Sequence, residues 1–320
     1  MRREFKPHLQ RPGDFDLFWH STRMQLERFD PQIERSPMEN QASHRLKGEL
    51  VRFTSLGRAR VTAYFIHWPD TEPRPLIIHS HGYGGRCEAR WDWAERGFNV
   101  LGVDIRGFGL SADALPKPSR WGYVLTGIEA PETSVLRLAV CDYMQAVRVA
   151  KTLCANRISR TLLQGVSFAG GLALMSESVL QTADLLAAGV PTFGWAEGRN
   201  FFVRSGSGAE ISAYLDMRPE LTDDVMLVLS YFDTVSFADR VLCPTLIGLG
   251  LHDEVVPAKT VYAIANHLSG PHEIMEFPVS HSDHPEEQLW GRFEAKWMEL
   301  AAQGVPGDFG KVRTSHPWPG

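Results

Sequence analysis

The chain has 320 residues, 43% of them hydrophobic, with a formal charge of −5 and a pI near 6.2. That length and apolar content suffice for a full core, as one large domain or two small ones, while the acidic balance offers no basic surface to nucleic acid or an anionic membrane. The cysteines (Cys87, Cys141, Cys154, Cys243) are far apart without C-x-x-C spacing, which argues against a disulfide framework or a structural zinc and predicts buried thiols at Cys141 and Cys243.

In chain order, the first residues, from Met1 to Pro7, carry positive charge but no apolar run behind it, and no stretch approaches the ~18 residues of a membrane span. A soluble, cytoplasmic protein is expected. Residues 1–70 read as an N-terminal extension: a helix through 14–19, then strands over 50–53 and 61–66 flanking a turn at Gly57. From Pro75 short apolar runs recur at 76–79, 100–103, 161–163, 186–190 and 245–249, separated by longer amphipathic segments. Strands apolar on both faces imply a largely parallel sheet covered by helices on both sides, and 71–304 is read as one catalytic core. Its clearest helices run from Leu136 to about Leu153 and onward from Pro285, the latter with Leu289, Phe293, Trp297 and Leu300 on one stripe. The final segment, 305–320, is rich in Gly and Pro and is expected to run over the surface or to lack order.

Chemistry concentrates where the run Thr161-Leu162-Leu163-Gln164 gives way to Gly165-Val166-Ser167-Phe168-Ala169 and the small-residue helix behind it. Such a strand-to-helix corner is a nucleophile elbow. A serine hydroxyl is a poor nucleophile at neutral pH; it needs exposure on a tight turn, a base in reach and backbone donors beside it. The other triplet of this kind, Gly109-Leu110-Ser111, is followed by Pro116 and Pro118, which break any long helix.

In an open parallel sheet the partners of Ser167 should follow later strands at their carboxyl ends. One such loop carries Asp253 and the other His281, giving the chain order Ser, Asp, His of an α/β-hydrolase triad. His281 would shuttle the hydroxyl proton, with His284 its rival; Asp253 would hold the imidazole, with Glu254 its rival. The oxyanion would be met by the N–H groups of Phe168 and of Tyr83 in the loop His81-Gly82-Tyr83-Gly84-Gly85. Phe108, Phe193 and Trp195 are candidate pocket residues. His79 and His81 share a strand face but lack a third ligand, so no metal is expected, and without a glycine-rich phosphate motif neither is a nucleotide or other cofactor.

These residues resemble the acetyl xylan esterase and cephalosporin C deacetylase family, carbohydrate esterase family seven. The likeness runs along nearly the whole chain: Asp14-Phe15-Asp16-Leu17-Phe18-Trp19, His81-Gly82-Tyr83, Asp104-Ile105-Arg106-Gly107-Phe108-Gly109, the Ser167 elbow, and Ala238-Asp239-Arg240-Val241-Leu242-Cys243-Pro244 leading to Gly250-Leu251-His252-Asp253 and Asn266-His267-Leu268. The resemblance implies an α/β-hydrolase fold and a metal-independent serine esterase acting on acetyl esters of small carbohydrates, often assembled as a hexamer. Ser167 maps to the nucleophile, Asp253 to the acid, His281 to the base, Tyr83 and Phe168 to the oxyanion hole. Four positions depart from the family pattern: Phe108 stands for Gln in R-G-Q, Phe168-Ala169 for Q-G in G-x-S-Q-G, and Ser282 for Glu in H-E. Phenylalanine in place of two glutamines predicts a less polar mouth. A general carboxylesterase on non-carbohydrate esters is the alternative enzyme, and a non-catalytic hydrolase-like binding protein the alternative class.

Overall fold

The computed structural model describes residues 3–39 and 42–310. Among these the strands are β1 (Glu34–Pro37), β2 (Lys47–Thr54), β3 (Arg60–His67), β4 (Arg74–Ser80), β5 (Asn99–Asp104), β6 (Ile158–Val166), β7 (Leu185–Gly189), β8 (Thr245–Gly250) and β9 (His272–Phe277). They form one sheet in the order β1-β2-β3-β5-β4-β6-β7-β8-β9. From β5 onward neighbours are parallel, with Ile77 beside both Val100 and Leu162, and Gly248 beside Met275. β5, β7 and β8 are buried at every residue, as the continuous apolar runs required.

The strands of the extension join this same sheet, antiparallel, through β3 beside β5. β1 was not foreseen: all its residues are exposed, so it lacks the apolar alternation that marks a strand, and it is an edge piece ending at Pro37.

The helices are α1 (Phe15–Glu27), α2 (Trp91–Glu95), α3 (Val135–Cys154), α4 (Phe168–Leu180), α5 (Ala196–Phe202), α6 (Gly206–Met217), α7 (Thr222–Ser230), α8 (Val235–Ala238), α9 (Ala258–Ala265) and α10 (Glu287–Gln303). α3, α4, α8 and α9 pack together on one face, with α1 outside them, and α2 and α10 cover the other. Glycines fix the closest approaches. A Cβ on Gly248 would lie 3.0 Å from both Phe293 and Trp290, so α10 rests its aromatic stripe directly on β8. α1 presents Phe15, Phe18, Trp19, Thr22 and Leu26 at helical spacing. Its aromatic rings meet Tyr231, Phe232 and Phe237, and the Trp19 indole N–H donates to the Tyr231 carbonyl at 3.0 Å.

All four cysteines are buried and free. The tail differs from expectation at its start: Phe309 is buried and Gly310 lies against the His272 backbone, because an aromatic ring there finds core to pack on. The rest of that segment, 311–320, lies outside the described residues, as do Met1 and Arg2. Among the described residues no helix is long and apolar enough to cross a membrane.

Candidate active site

Ser167 sits between β6 and α4 with φ 57° and ψ −115°, a strained conformation for a residue with a side chain. Its neighbours allow the corner. A Cβ on Gly165 would fall 2.2 Å from the Ala169 backbone, so that position demands glycine, and one on Gly170 would make a tight 3.1 Å approach to the Gly189 carbonyl. The serine backbone is clamped: its N–H donates to Gly189 at 2.9 Å, and its carbonyl accepts from Gly171 and Thr192. Ser111, by contrast, is buried, and its hydroxyl accepts the Thr62 N–H, so it is a structural residue of β3 and the turn after β5.

Asp253 follows β8 and is 5% exposed. One carboxylate oxygen accepts the N–H groups of Val255 and Val256 at 3.0 and 2.6 Å, shaping its own loop. The other accepts those of His281 and Ser282 at 3.2 and 3.1 Å, joining the loop after β8 to the loop after β9. The His281 ring stands edge-on to Trp290, 4.5 Å between centroids, and Trp290 is the residue seated on Gly248. Burial lowers the imidazole pKa below its ordinary 6.5, with the Asp253 charge opposing. Glu254 and His284, the rivals, are exposed, and the Glu254 N–H donates to Asp283.

The structure therefore brings Asp253 and His281 together through backbone bonds. Ser167 lies at the carboxyl end of β6 on the same edge of the sheet, two and three strands away in the order β6-β7-β8-β9. Among the described contacts no hydrogen bond joins its hydroxyl to the His281 ring. Nucleophile–base hydrogen bonds are commonly long without substrate and tighten in the complex.

Phe168 is the first residue of α4, so its N–H has no acceptor within the helix. Tyr83 lies in the loop after β4, and its hydroxyl donates to Glu210 on α6 at 2.7 Å. Glu210 had no signal in the sequence, since no spacing connects α6 to the residue-83 loop. The Asp104–Gly109 stretch is scaffolding beside this loop. Asp104 accepts the N–H groups of Cys87 and Leu110, and buried Arg106 pairs with buried Asp142 at 2.6 Å while donating to Leu56 of the extension.

The candidate pocket residues do not share one pocket. Phe168 is fully buried, its ring 5.6 Å from Tyr83, 6.2 Å from Phe108 and Tyr123, and 5.9 Å from Phe193. It packs the elbow from beneath, so its side chain forms no part of an exposed mouth. Phe193 is buried against it, with the Arg199 guanidinium over its other neighbourhood at 5.1 Å. Trp195 borders a different hollow of about 540 Å³, between residues 7–12 and the segments 195–197 and 223–236. Phe108 is partly exposed beside the elbow, as is Tyr83.

His79 is buried beside Cys87 and Trp93, and burial pushes its pKa down to about 3. His81 spends both ring nitrogens on backbone: Nδ1 donates to the Gly82 carbonyl at 2.8 Å and Nε2 accepts the Ile105 N–H at 3.1 Å. Among the described residues no group of three or more His, Cys, Asp or Glu side chains is placed to hold a metal ion.

A family model for acetyl xylan esterase (AXE1) matches residues 2–298. The chain is 20% identical over 288 residues to acetyl esterase Axe7A of Xylanibacter ruminicola, an alignment covering 86% of this chain and 64% of that protein's length. Its fold matches an acetyl xylan esterase from Paenibacillus sp. R4 with a TM-score of 0.81 at 24% identity, over 92% of this chain and 98% of the other. Acetyl xylan esterase 1 from Thermoanaerobacterium sp. JW/SL YS485 matches with a TM-score of 0.84 at 22% identity, over 93% and 97%.

Proposed function

Since the chain belongs to the acetyl xylan esterase family, we propose that it is a serine esterase that removes small acyl groups, acetyl above all, from carbohydrates or similar small alcohols. The observation that carries this reading is the strained Ser167 corner on the sheet edge where Asp253 ties down the His281 loop. The Ser167 oxygen attacks the ester carbonyl while His281 takes the hydroxyl proton. The N–H groups of Tyr83 and Phe168 meet the oxyanion. Collapse of the tetrahedral intermediate expels the alcohol, which receives the proton from His281 and leaves an acyl-serine. Water repeats the sequence and releases the acid. A low imidazole pKa keeps His281 neutral, and so able to act as base, at neutral pH.

The test compares kcat/KM across aryl esters of increasing acyl length, beside acetylated xylo-oligosaccharides. The expected order has acetyl first and longer chains falling away. A maximum at hexanoyl or beyond would replace this reading with a general carboxylesterase, which the partly exposed Phe108 beside the elbow favours. No turnover of any activated acetate would leave a hydrolase-like binding protein.

A further inference from the structure

The loop that carries the Tyr83 N–H is rich in glycine. Gly82, Gly84 and Gly85 are exposed, Gly84 has φ +74°, and a Cβ built on Gly82 or Gly84 would meet nothing within 4 Å. Gly82 and Gly84 therefore do not serve close packing, whereas a Cβ on Gly85 would come 3.1 Å from the Gly82 carbonyl. The loop's internal backbone bond runs from Gly85 N–H to the Gly82 carbonyl at 3.0 Å. What is fixed is the Tyr83 side chain. Its ring stands edge-on to Phe108, Tyr123 and Phe168 at 5.6–5.8 Å. Its hydroxyl donates to Glu210 at 2.7 Å and accepts the Val124 N–H at 3.0 Å, which also reaches the same Glu210 oxygen at 3.2 Å. The carboxylate is in turn seated on bare backbone: Gly122 has φ +127°, and a Cβ there would fall 2.2 Å from the Glu210 carboxyl carbon.

We infer that Glu210 is a positioning residue which, by holding the Tyr83 hydroxyl from α6, aims the Tyr83 N–H at the oxyanion; this rests on the esterase reading above. A hydrogen-bond donor stabilises a transition state only if it is aimed before the charge develops, and a misplacement of about 1 Å costs up to ~10²-fold in rate. Burial raises the Tyr83 pKa, which keeps the phenol a neutral donor to the carboxylate. Glu210 touches no reacting atom, so its removal should act on kcat and leave ground-state binding alone.

The experiment measures kcat and KM on an aryl acetate for the full chain and for Glu210→Ala, Tyr83→Phe, the double variant and Glu210→Gln. Expected are losses in kcat of about tenfold for Glu210→Ala and for Tyr83→Phe, with KM within about twofold. The double variant should be no worse than either single one, because both break the same link. Glu210→Gln should recover most of the activity, since its amide oxygen still accepts from the phenol and from Val124. A kcat within twofold of wild type for Glu210→Ala, additive losses in the double variant, or failure of Gln to rescue would each overturn the proposal. If Glu210→Ala does not fold, Tyr83→Phe against Glu210→Gln decides: an undiminished kcat in Tyr83→Phe overturns it. Ser167→Ala serves as the control. An inactive wild type, or an active Ser167→Ala, would instead bring down the esterase reading itself.

Discussion

Asp253 is held by four backbone N–H groups from loops that follow the neighbouring strands β8 and β9. Tyr83 is held mainly by side chains: its ring meets Phe108, Tyr123 and Phe168, and its hydroxyl, which also accepts the Val124 N–H, donates to Glu210 on a helix inserted between β7 and β8. The acid side of the site thus inherits its geometry from the sheet and tolerates changes of side chain around it. The proposed oxyanion side depends on side-chain contacts between segments far apart in sequence. Changes on the two sides should therefore fail in different ways.

The largest effect belongs to neither side but to the hinge between them. Ser167→Ala should reduce turnover of an aryl acetate by at least ~10³-fold with the melting temperature unchanged to within a degree or two, because the hydroxyl contributes chemistry and not packing. More than a few per cent residual turnover would refute the nucleophile. On the acid side, His281→Ala should cost at least ~10²-fold, while exposed His284→Ala stays within twofold; the reverse outcome would move the base.

On the oxyanion side, Phe168→Gln tests packing against chemistry. Restoring the family's glutamine keeps the backbone N–H, yet it places an amide where a fully buried ring now meets Tyr83, Phe108, Tyr123 and Phe193. A loss of about 2–5 kcal/mol is expected, read in a chain of this length as a melting temperature lower by roughly 3–8 °C. An unchanged melting temperature would show that the elbow is looser than this packing implies. The smallest effect is in pH. With burial holding the His281 pKa under 6.5, the neutral base persists to lower pH, and the acid limb of kcat/KM should have its midpoint below 6.5. A midpoint at or above that value would mean that the Asp253 charge outweighs burial.

The same contrast governs what the sequence reveals. Parallel strands buried on both faces announce themselves as apolar runs, and the loops behind them follow at once, so Ser167, Asp253 and His281 could be placed on one sheet edge without coordinates. The insert could not be read that way. Its helices leave Phe201, Phe202, Met217 and Leu227 exposed, so apolar spacing does not mark one buried face, and Glu210 looks like any charged helix residue. Phe168 misled for a related reason: whether the first residue of a helix points to a mouth or into a core is decided by Tyr83, Phe108 and Tyr123, none of them nearby in sequence.

The docking of α1 also constrains how the molecule comes into being. Trp19 is 212 positions from the carbonyl that its indole bonds, and Phe15 waits for Phe237. At a synthesis rate of about 5–20 residues per second, those partners leave the ribosome on the order of 10–40 s after the helix itself. During that interval a nascent chain cannot close over α1, which is finished only after the segment around residues 231–237 has been made.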